Sequence, residues 1–344
     1  MQEVTFTLQT ITPLFLAGAD QTKAELRAPT FRGLMRYWQR ALVGGLVGTG
    51  QDGLKQVMQA ETEIFGATDT GSAVRIKVSG VTNGKEPLPY QASRGIPLAN
   101  GKFKATGDGY LLWSMAKSGR EDRGNLKPAR WYFPPGTAFQ VILSSRSGDG
   151  AKLSKAVAAF WLLTQLGGIG SRSRRCAGSL SVQSIENNIT DLPFTAPTDA
   201  LALKQQIEQG IRTARALYSY DHRTRGEAQF DVLAPQTCRI WILQDEQPWR
   251  TSEIAMQKLG EKLQEYRSHI SIGPRKIFGL PLPPIIFNKR RASPLLLRVT
   301  KLQREQYVGI AVLFKTAGSD VNMGDYKLIE DWINEFRGKQ EVRL

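Results

Sequence analysis

Leu166-Gly167-Gly168-Ile169-Gly170-Ser171-Arg172-Ser173-Arg174-Arg175-Cys176-Ala177-Gly178-Ser179-Leu180 divides an apolar helix pattern from a strand pattern. Between the two lie four glycines, three arginines and three serines, with no acid. Glycine admits positive φ and close backbone approach. Arginine's planar fork pairs two-pronged with phosphate. A loop of this make-up is suited to gripping the backbone of a polyanion. It lacks the Lys-Ser/Thr ending of a nucleotide P-loop and follows a helix rather than a strand. The competing reading is a helix C-cap followed by a flexible surface loop.

Upstream of the loop, residues 151–166 predict a buried helix and 138–144 a strand; downstream, 179–186 predict a strand. Further back, Glu3-Val4-Thr5-Phe6-Thr7-Leu8 opens an alternating strand over 3–10. Helix patterns cover 30–43 and 54–65, and Val74-Arg75-Ile76-Lys77-Val78 is a strand with its basic residues on one face. The order is strand, helix, strand, insertion, strand, helix, strand. That is the βαββαβ arrangement of ferredoxin-like, RNA-recognition-type α+β folds. The aromatic signature of the usual RNA-recognition motif is not visible, so no base stacking is expected on the sheet face. The insertion, roughly 80–137, is rich in glycine and proline and too long for an ordinary connection. It either packs on a neighbour or a ligand, or is an irregular loop. Residues 187–200 read as a linker, giving a first domain over 1–188 with its loop at 167–179 and a second over 198–344. The second half predicts helices at 200–217, 251–268 and 325–336 and strands at 238–243, 295–301 and 307–314. It reads as a more divergent copy of the first fold, giving tandem ferredoxin-like domains.

The helix at 30–43 has Phe31, Leu34, Met35, Trp38 and Leu42 on one face. Thr30 is its expected N-cap and Gly44-Gly45 its expected end. Arg32, Arg36 and Arg40 lie away from the apolar stripe, with no nearby acid in the helix to pair with. They are either a plain solvated face or a cationic track.

The formal net charge is +15, and its placement is uneven. Residues 26–51, 150–185 and 266–304 hold four, five and nine basic side chains and no acid, leaving 28 basic against 31 acidic side chains elsewhere. A merely solvated surface mixes signs. One-signed blocks point to a long basic surface for nucleic acid. The two cysteines and two histidines have no metal-ligand spacing, so neither a zinc site nor any other cofactor is expected. No signal peptide and no membrane-length apolar run is present, and a reducing, cytoplasmic compartment is expected.

Phe31-Arg32-Gly33-Leu34-Met35-Arg36-Tyr37-Trp38-Gln39-Arg40-Ala41-Leu42 resembles the first-helix motif of the RAMP superfamily, the repeat-associated subunits of type III CRISPR effectors. Leu166 to Arg175 resembles that superfamily's glycine-rich loop. Thr12-Pro13-Leu14-Phe15-Leu16-Ala17-Gly18-Ala19-Asp20, Ile64-Phe65-Gly66 and Arg290-Arg291-Ala292-Ser293-Pro294-Leu295 narrow the likeness to the first-subunit family of the Cmr (type III-B) complexes. The resemblance implies tandem ferredoxin-like domains in a non-catalytic subunit near the 3′ end of the guide RNA and the adjoining target. Its partners would be guide RNA, target RNA and other Cmr-type RAMP subunits, with no membrane. Cys176 stands where the family more usually has glycine or another small residue.

The RNA contacts expected on this basis are main-chain N–H groups of Gly167, Gly168 and Gly170, with Ser171 beside them. Forked donors would come from Arg172, Arg174 and Arg175. Arg32, Arg36 and Arg40 would extend the track, and Lys289, Arg290 and Arg291 would be the second domain's share. Most such contacts position a strand without reading its sequence. The rival class is a metal-independent endoribonuclease that processes guide precursor, with His222, in Asp221-His222-Arg223-Thr224-Arg225, as candidate base and His269 the other histidine. A third reading is a scaffold whose main interface is the aromatic insertion.

Overall fold

The computed structural model describes residues 2–93, 95–98, 103–118, 124, 126–146, 148–220, 228–279, 292–316 and 322–344. The first half contains β1 (Gln2–Thr10), α1 (Ala28–Val47), α2 (Gln51–Phe65) and β2 (Val74–Val81). Short elements follow: β3 (Leu88–Pro89), β4 (Ile96–Pro97), β5 (Phe103–Lys104), α3 (Gly107–Leu112) and β6 (Trp131–Tyr132). Then come β7 (Ala138–Ser145), α4 (Gly150–Leu166) and β8 (Leu180–Glu186). The second half contains α5 (Ala200–Ala216), β9 (Cys238–Leu243), α6 (Ser252–Ser268), α7 (Ile272–Arg275), β10 (Leu295–Lys301), β11 (Tyr307–Phe314), α8 (Lys327–Asn334) and β12 (Gln340–Val342).

Two four-stranded antiparallel sheets result, ordered β2-β7-β1-β8 and β10-β11-β9-β12. The strands of each sheet, counted along the chain, lie in the same order: second, third, first, fourth. In the first sheet the register sets Phe6 opposite Val141 and Leu8 opposite Phe139, so their side chains share the buried face. In the second, alternate residues go to different cores. Ile240, Ile242, Ile310 and Val312 join the cluster that holds α1, α4 and α5, while Trp241, Leu243, Ala311 and Leu313 face α6, α8 and α3. The second sheet is thus buried on both faces. That explains why 295–301 and 307–314 read as continuous apolar runs rather than alternating ones. α4 lies in the layer between the sheets and is buried on every side from Ala156 to Leu166, as expected of an interior helix. The chain's two halves therefore share one core.

Three local expectations are corrected. α1 starts at Ala28 with Pro29 in its first turn, so Thr30 lies inside the helix and no side chain caps it. The helix also runs through Gly44-Gly45. A Cβ on Gly44 would come within 2.7 Å of Val232 and 2.9 Å of Phe230, and one on Gly45 would overlap the Leu233 backbone. The glycine pair serves the close passage of residues 230–233, where Leu233 N–H donates to the Ala41 carbonyl at 2.8 Å. Nor is the segment after β8 a free linker. Leu192 and Phe194 are buried, and Trp161 Nε1 donates to the Pro193 carbonyl at 2.7 Å.

The described part of the insertion is built rather than irregular, and it packs within its own chain. β3 pairs with β6 and β4 with β5, and α3 crosses α6 where Gly107 meets Gly260. A Cβ on Gly107 would overlap the Gln257 carbonyl, and one on Gly260 would overlap Gly107 itself. The first half's insertion is thereby fastened to the second half.

Cys176 and Cys238 are both free and buried. Burial pushes the Cys176 thiol up to about 12 and raises Cys238 well above its ordinary value. Native protein is therefore expected to resist a thiol-specific reagent at pH 8, with both cysteines labelled once denaturant is added. The sign of the pH dependence follows: above the ordinary thiol value of 9.0 the unfolded chain ionises and the folded one does not, so stability falls as pH rises. Rapid native labelling at either position would refute the burial.

Candidate nucleic-acid interface

α4 delivers the chain into the glycine-rich loop. Gly167 N–H closes the helix on the Leu163 carbonyl at 3.0 Å, and both Gly167 and Gly168 are buried. The expectation that Gly167 turns its amide to a phosphate is thereby corrected: that amide is already spent on the helix. Gly170 is half-buried at φ +81°, and a Cβ there would overlap the Phe15 carbonyl. The next amide, Ser171 N–H, donates to that carbonyl at 2.8 Å, leaving exposed Ser171 at the crest. Beyond it, Arg172 and Cys176 both take positive φ, 63° and 67°. Position 176 thus adopts the backbone that glycine favours. The Cys176 amide donates to the Leu297 carbonyl of β10 at 2.8 Å.

The three loop arginines turn to one cavity of about 690 Å³. Arg172 stacks on Trp113 at 5.4 Å and leaves Nε and Nη2 without a protein partner. Arg175 Nη2 donates to the Phe278 carbonyl at 2.8 Å, and its Nη1 has no partner. Arg174 is tied down more fully. Its Nη1 donates to the Ser293 carbonyl at 2.6 Å, its Nη2 meets Asp231 at 3.2 Å, and its guanidinium lies over Tyr37, whose hydroxyl donates to Asp231 at 2.7 Å.

The opposite wall comes from the second half and the insertion. Arg267 of α6 donates from Nη1 to Tyr110 Oη at 2.8 Å, lies 5.6 Å from the Phe278 ring and leaves Nε unpartnered. Gln264, Ser268 and Arg275 line the cavity with it. Among the described lining residues none is acidic. Burial first, and the neighbouring Arg267 guanidinium second, push Arg175 down to about 10. Burial also lowers Arg172. Like charges crowded in a poorly solvated place, with Asp231 holding Arg174 but no carboxylate among the described lining residues, suit an anionic ligand. Arg267 and Arg275 sit in the basic 266–304 block. Nothing local marked them out from its other cations.

α1's arginines go elsewhere. Arg36 and Arg40 share Glu61 of α2, at 2.5 and 3.0 Å, and Arg32 donates to the Phe65 carbonyl at 3.0 Å. Their expected lack of an acidic partner is corrected, because the acid arrives from the next helix. They clamp α2 to α1 and do not line the cavity. Lys289, Arg290, Arg291 and His222 lie outside the described residues. His269 is exposed at the C-terminal end of α6 and does not line the cavity. Among the described residues no cluster of metal-ligating side chains occurs, and no helix is long and apolar enough to cross a membrane.

The family model of the RAMP superfamily matches residues 7–181, which include α1, α4 and the whole loop. The chain belongs to the RAMP superfamily. Among the relatives of this RAMP chain, the CRISPR system Cmr subunit Cmr1-1 of Pyrococcus furiosus is 28% identical over 298 residues, 85% of this chain and 81% of that one. Cmr1-2 of the same organism is 35% identical over 188 residues, 54% of this chain and 97% of its own. Among solved structures, apo Cmr1 from Pyrococcus furiosus aligns at TM-score 0.67 and 23% identity, covering 99% of both chains. A chain of the type III-B Cmr-beta complex bound to cognate target RNA aligns at TM-score 0.60 and 12% identity, covering 97% of this chain and 99% of its own. At these identities the structural likenesses bear on the RAMP chain's mixed α/β fold with antiparallel sheets.

Proposed function

We propose that this chain is the first subunit of a type III-B (Cmr) CRISPR effector in the cytoplasm, and that it binds RNA without cleaving it. Its ligand is the guide RNA/target duplex near the 3′ end of the guide, and its neighbours are other RAMP subunits. One observation carries the reading: Arg172, Arg175 and Arg267 line a single cavity, each keeps a guanidinium nitrogen without a partner, and no acid is among the described lining residues. A phosphodiester would supply the counter-charge that these guanidinium groups lack. The Cmr1 relatives and their named complexes support the subunit assignment. The strand order second-third-first-fourth in both sheets supports tandem ferredoxin-like units, taken as 1–188 and 198–344. Lys289, Arg290 and Arg291 directly precede, in sequence, Ala292, which lines the cavity, and are kept as expected RNA contacts of the second half. Ser171 and the loop arginines are its first-half contacts.

Single-stranded RNA binding to the full chain, followed by anisotropy across a salt series, tests this. Arg172→Gln and Arg267→Gln are each expected to weaken binding about tenfold or more. Each is expected to reduce the slope of log K against log salt by about 0.7 per lost phosphate contact. Unchanged affinity and slope in both variants would remove the cavity from the interface. RNA cleavage by the purified chain in chelator, abolished by His222→Ala, would favour a ribonuclease instead.

A further inference from the structure

We infer that the insertion's two exposed tryptophans, Trp113 and Trp131, are stacking platforms for unpaired RNA bases on either side of the loop crest. The inference rests on the RNA-binding reading above and deepens it by naming what these two side chains meet: unpaired bases beside the guide/target duplex rather than the duplex itself. Of the seven tryptophans, Trp38, Trp161, Trp241, Trp249 and Trp332 are at most 6% exposed, whereas Trp113 and Trp131 are 49% and 39% exposed. Exposing an indole forfeits a large burial gain, and both cases fall in one segment.

Their placement follows the charge. Trp113 borders the basic cavity and carries Arg172 on its ring. Trp131 borders a second cavity of about 340 Å³, whose lining includes Arg130, Thr30 and the crest residues Gly170 and Ser171. No acid is among the described residues that line this cavity either. Ser171 belongs to one cavity and its neighbour Arg172 to the other, so a strand crossing the crest meets an arginine and an indole on each side. The platforms are held by regular structure. Trp131 pairs with Pro89 across β6 and β3, Arg130 N–H donates to the Met115 carbonyl at 2.8 Å, and Tyr90 and Tyr132 pack on Phe15 at 5.2 and 5.4 Å. Phe15 in turn bridges to Ser171, so the crest and the Trp131 platform share one rigid footing. Bases in a duplex hide their faces in the stack; only unpaired bases offer a face to an indole.

All seven indoles emit, but with five of them buried a change in intrinsic fluorescence on adding RNA reports chiefly on these two. Adding single-stranded oligoadenylate to the full chain is expected to quench part of the emission, and a blunt RNA duplex is expected to leave it nearly unchanged. Trp113→Ala and Trp131→Ala should each weaken oligoadenylate binding about tenfold without altering the salt slope. Trp113→Phe and Trp131→Phe, which keep an aromatic face, should recover most of that loss. A base-free ribose-phosphate strand of equal length should bind wild type and both alanine variants alike. Equal losses on the base-free strand, or duplex quenching as strong as single-strand quenching, would overturn the inference while leaving the basic cavity as the RNA site. Unquenched fluorescence with every RNA would assign the tryptophans to a protein neighbour. Failure of wild type to bind either strand would instead defeat the reading on which the inference rests.

Discussion

Replacing Gly178 with alanine is expected to cost more than about 4 kcal/mol of folding stability, at the extreme of single-residue effects. Gly178 sits at φ +64°, where an L side chain adds about 1–2 kcal/mol. The greater part comes from space. A Cβ would overlap the Ile169 carbonyl, which is backbone and has no rotamer to escape into. Two main-chain bonds also depend on the approach: Gly178 N–H to the Pro13 carbonyl at 2.9 Å, and Ile169 N–H to the Gly178 carbonyl at 3.0 Å. Gly148→Ala is the control. Its φ is +94°, but nothing lies within 4 Å of an added Cβ, so it should pay only the conformational part. Urea unfolding of the two variants separates the effects, and equal midpoints would show that the loop closes in some other way.

Arg298→Ala is expected to destabilise the fold by about 3–5 kcal/mol. Arg298 projects from β10 into the other half of the chain. Its Nη1 donates to the Thr164 carbonyl near the end of α4, and its Nη2 to the Leu180 carbonyl at the start of β8, at 2.9 Å. Burial pushes this guanidinium down to about 9, a sign of how much hydration it gives up. Replacing a buried ion pair by apolar residues can be neutral, because both charges leave together. Here the acceptors are main-chain carbonyls that no substitution at 298 removes, so two buried oxygens stay unpaired. Arg298→Lys restores one contact and should recover part of the loss. An Arg298→Ala protein with the wild-type urea midpoint would mean that the halves hold together without this strut.

Periodicity made most of the secondary structure legible. The long helices and the eight strands of the two sheets, save one, stand within a few residues of their expected bounds. The exception is β12, whose Gln340-Glu341-Val342 is too short and polar to alternate. What a linear reading lacked was the identity of neighbours brought by folding. Arg36 was judged by its own helix, yet its partner Glu61 stands 25 positions on, one helix away. The three basic blocks point to one long surface, yet within 266–304 the fold locks Arg298 inside and sets Arg267 and Arg275 on the cavity wall. Of the glycines expected to offer amides to phosphate, Gly167 spends its amide on closing α4, and Gly168 and Gly170 also permit tight backbone packing. The aromatic insertion left its role open because nothing in its composition announces the Gly107–Gly260 crossing.

That crossing joins segments far apart in the chain: Asp108 N–H reaches Gln257 Oε1 across 149 positions. An occupant held by Arg172 on one wall and Arg267 on the other would grip both ends of this long closure at once. Letting go of the strand and prying the halves apart would then draw on the same free energy, each event resisting the other. A subunit made this way would behave as a latch, gaining mechanical firmness from its cargo and releasing it slowly.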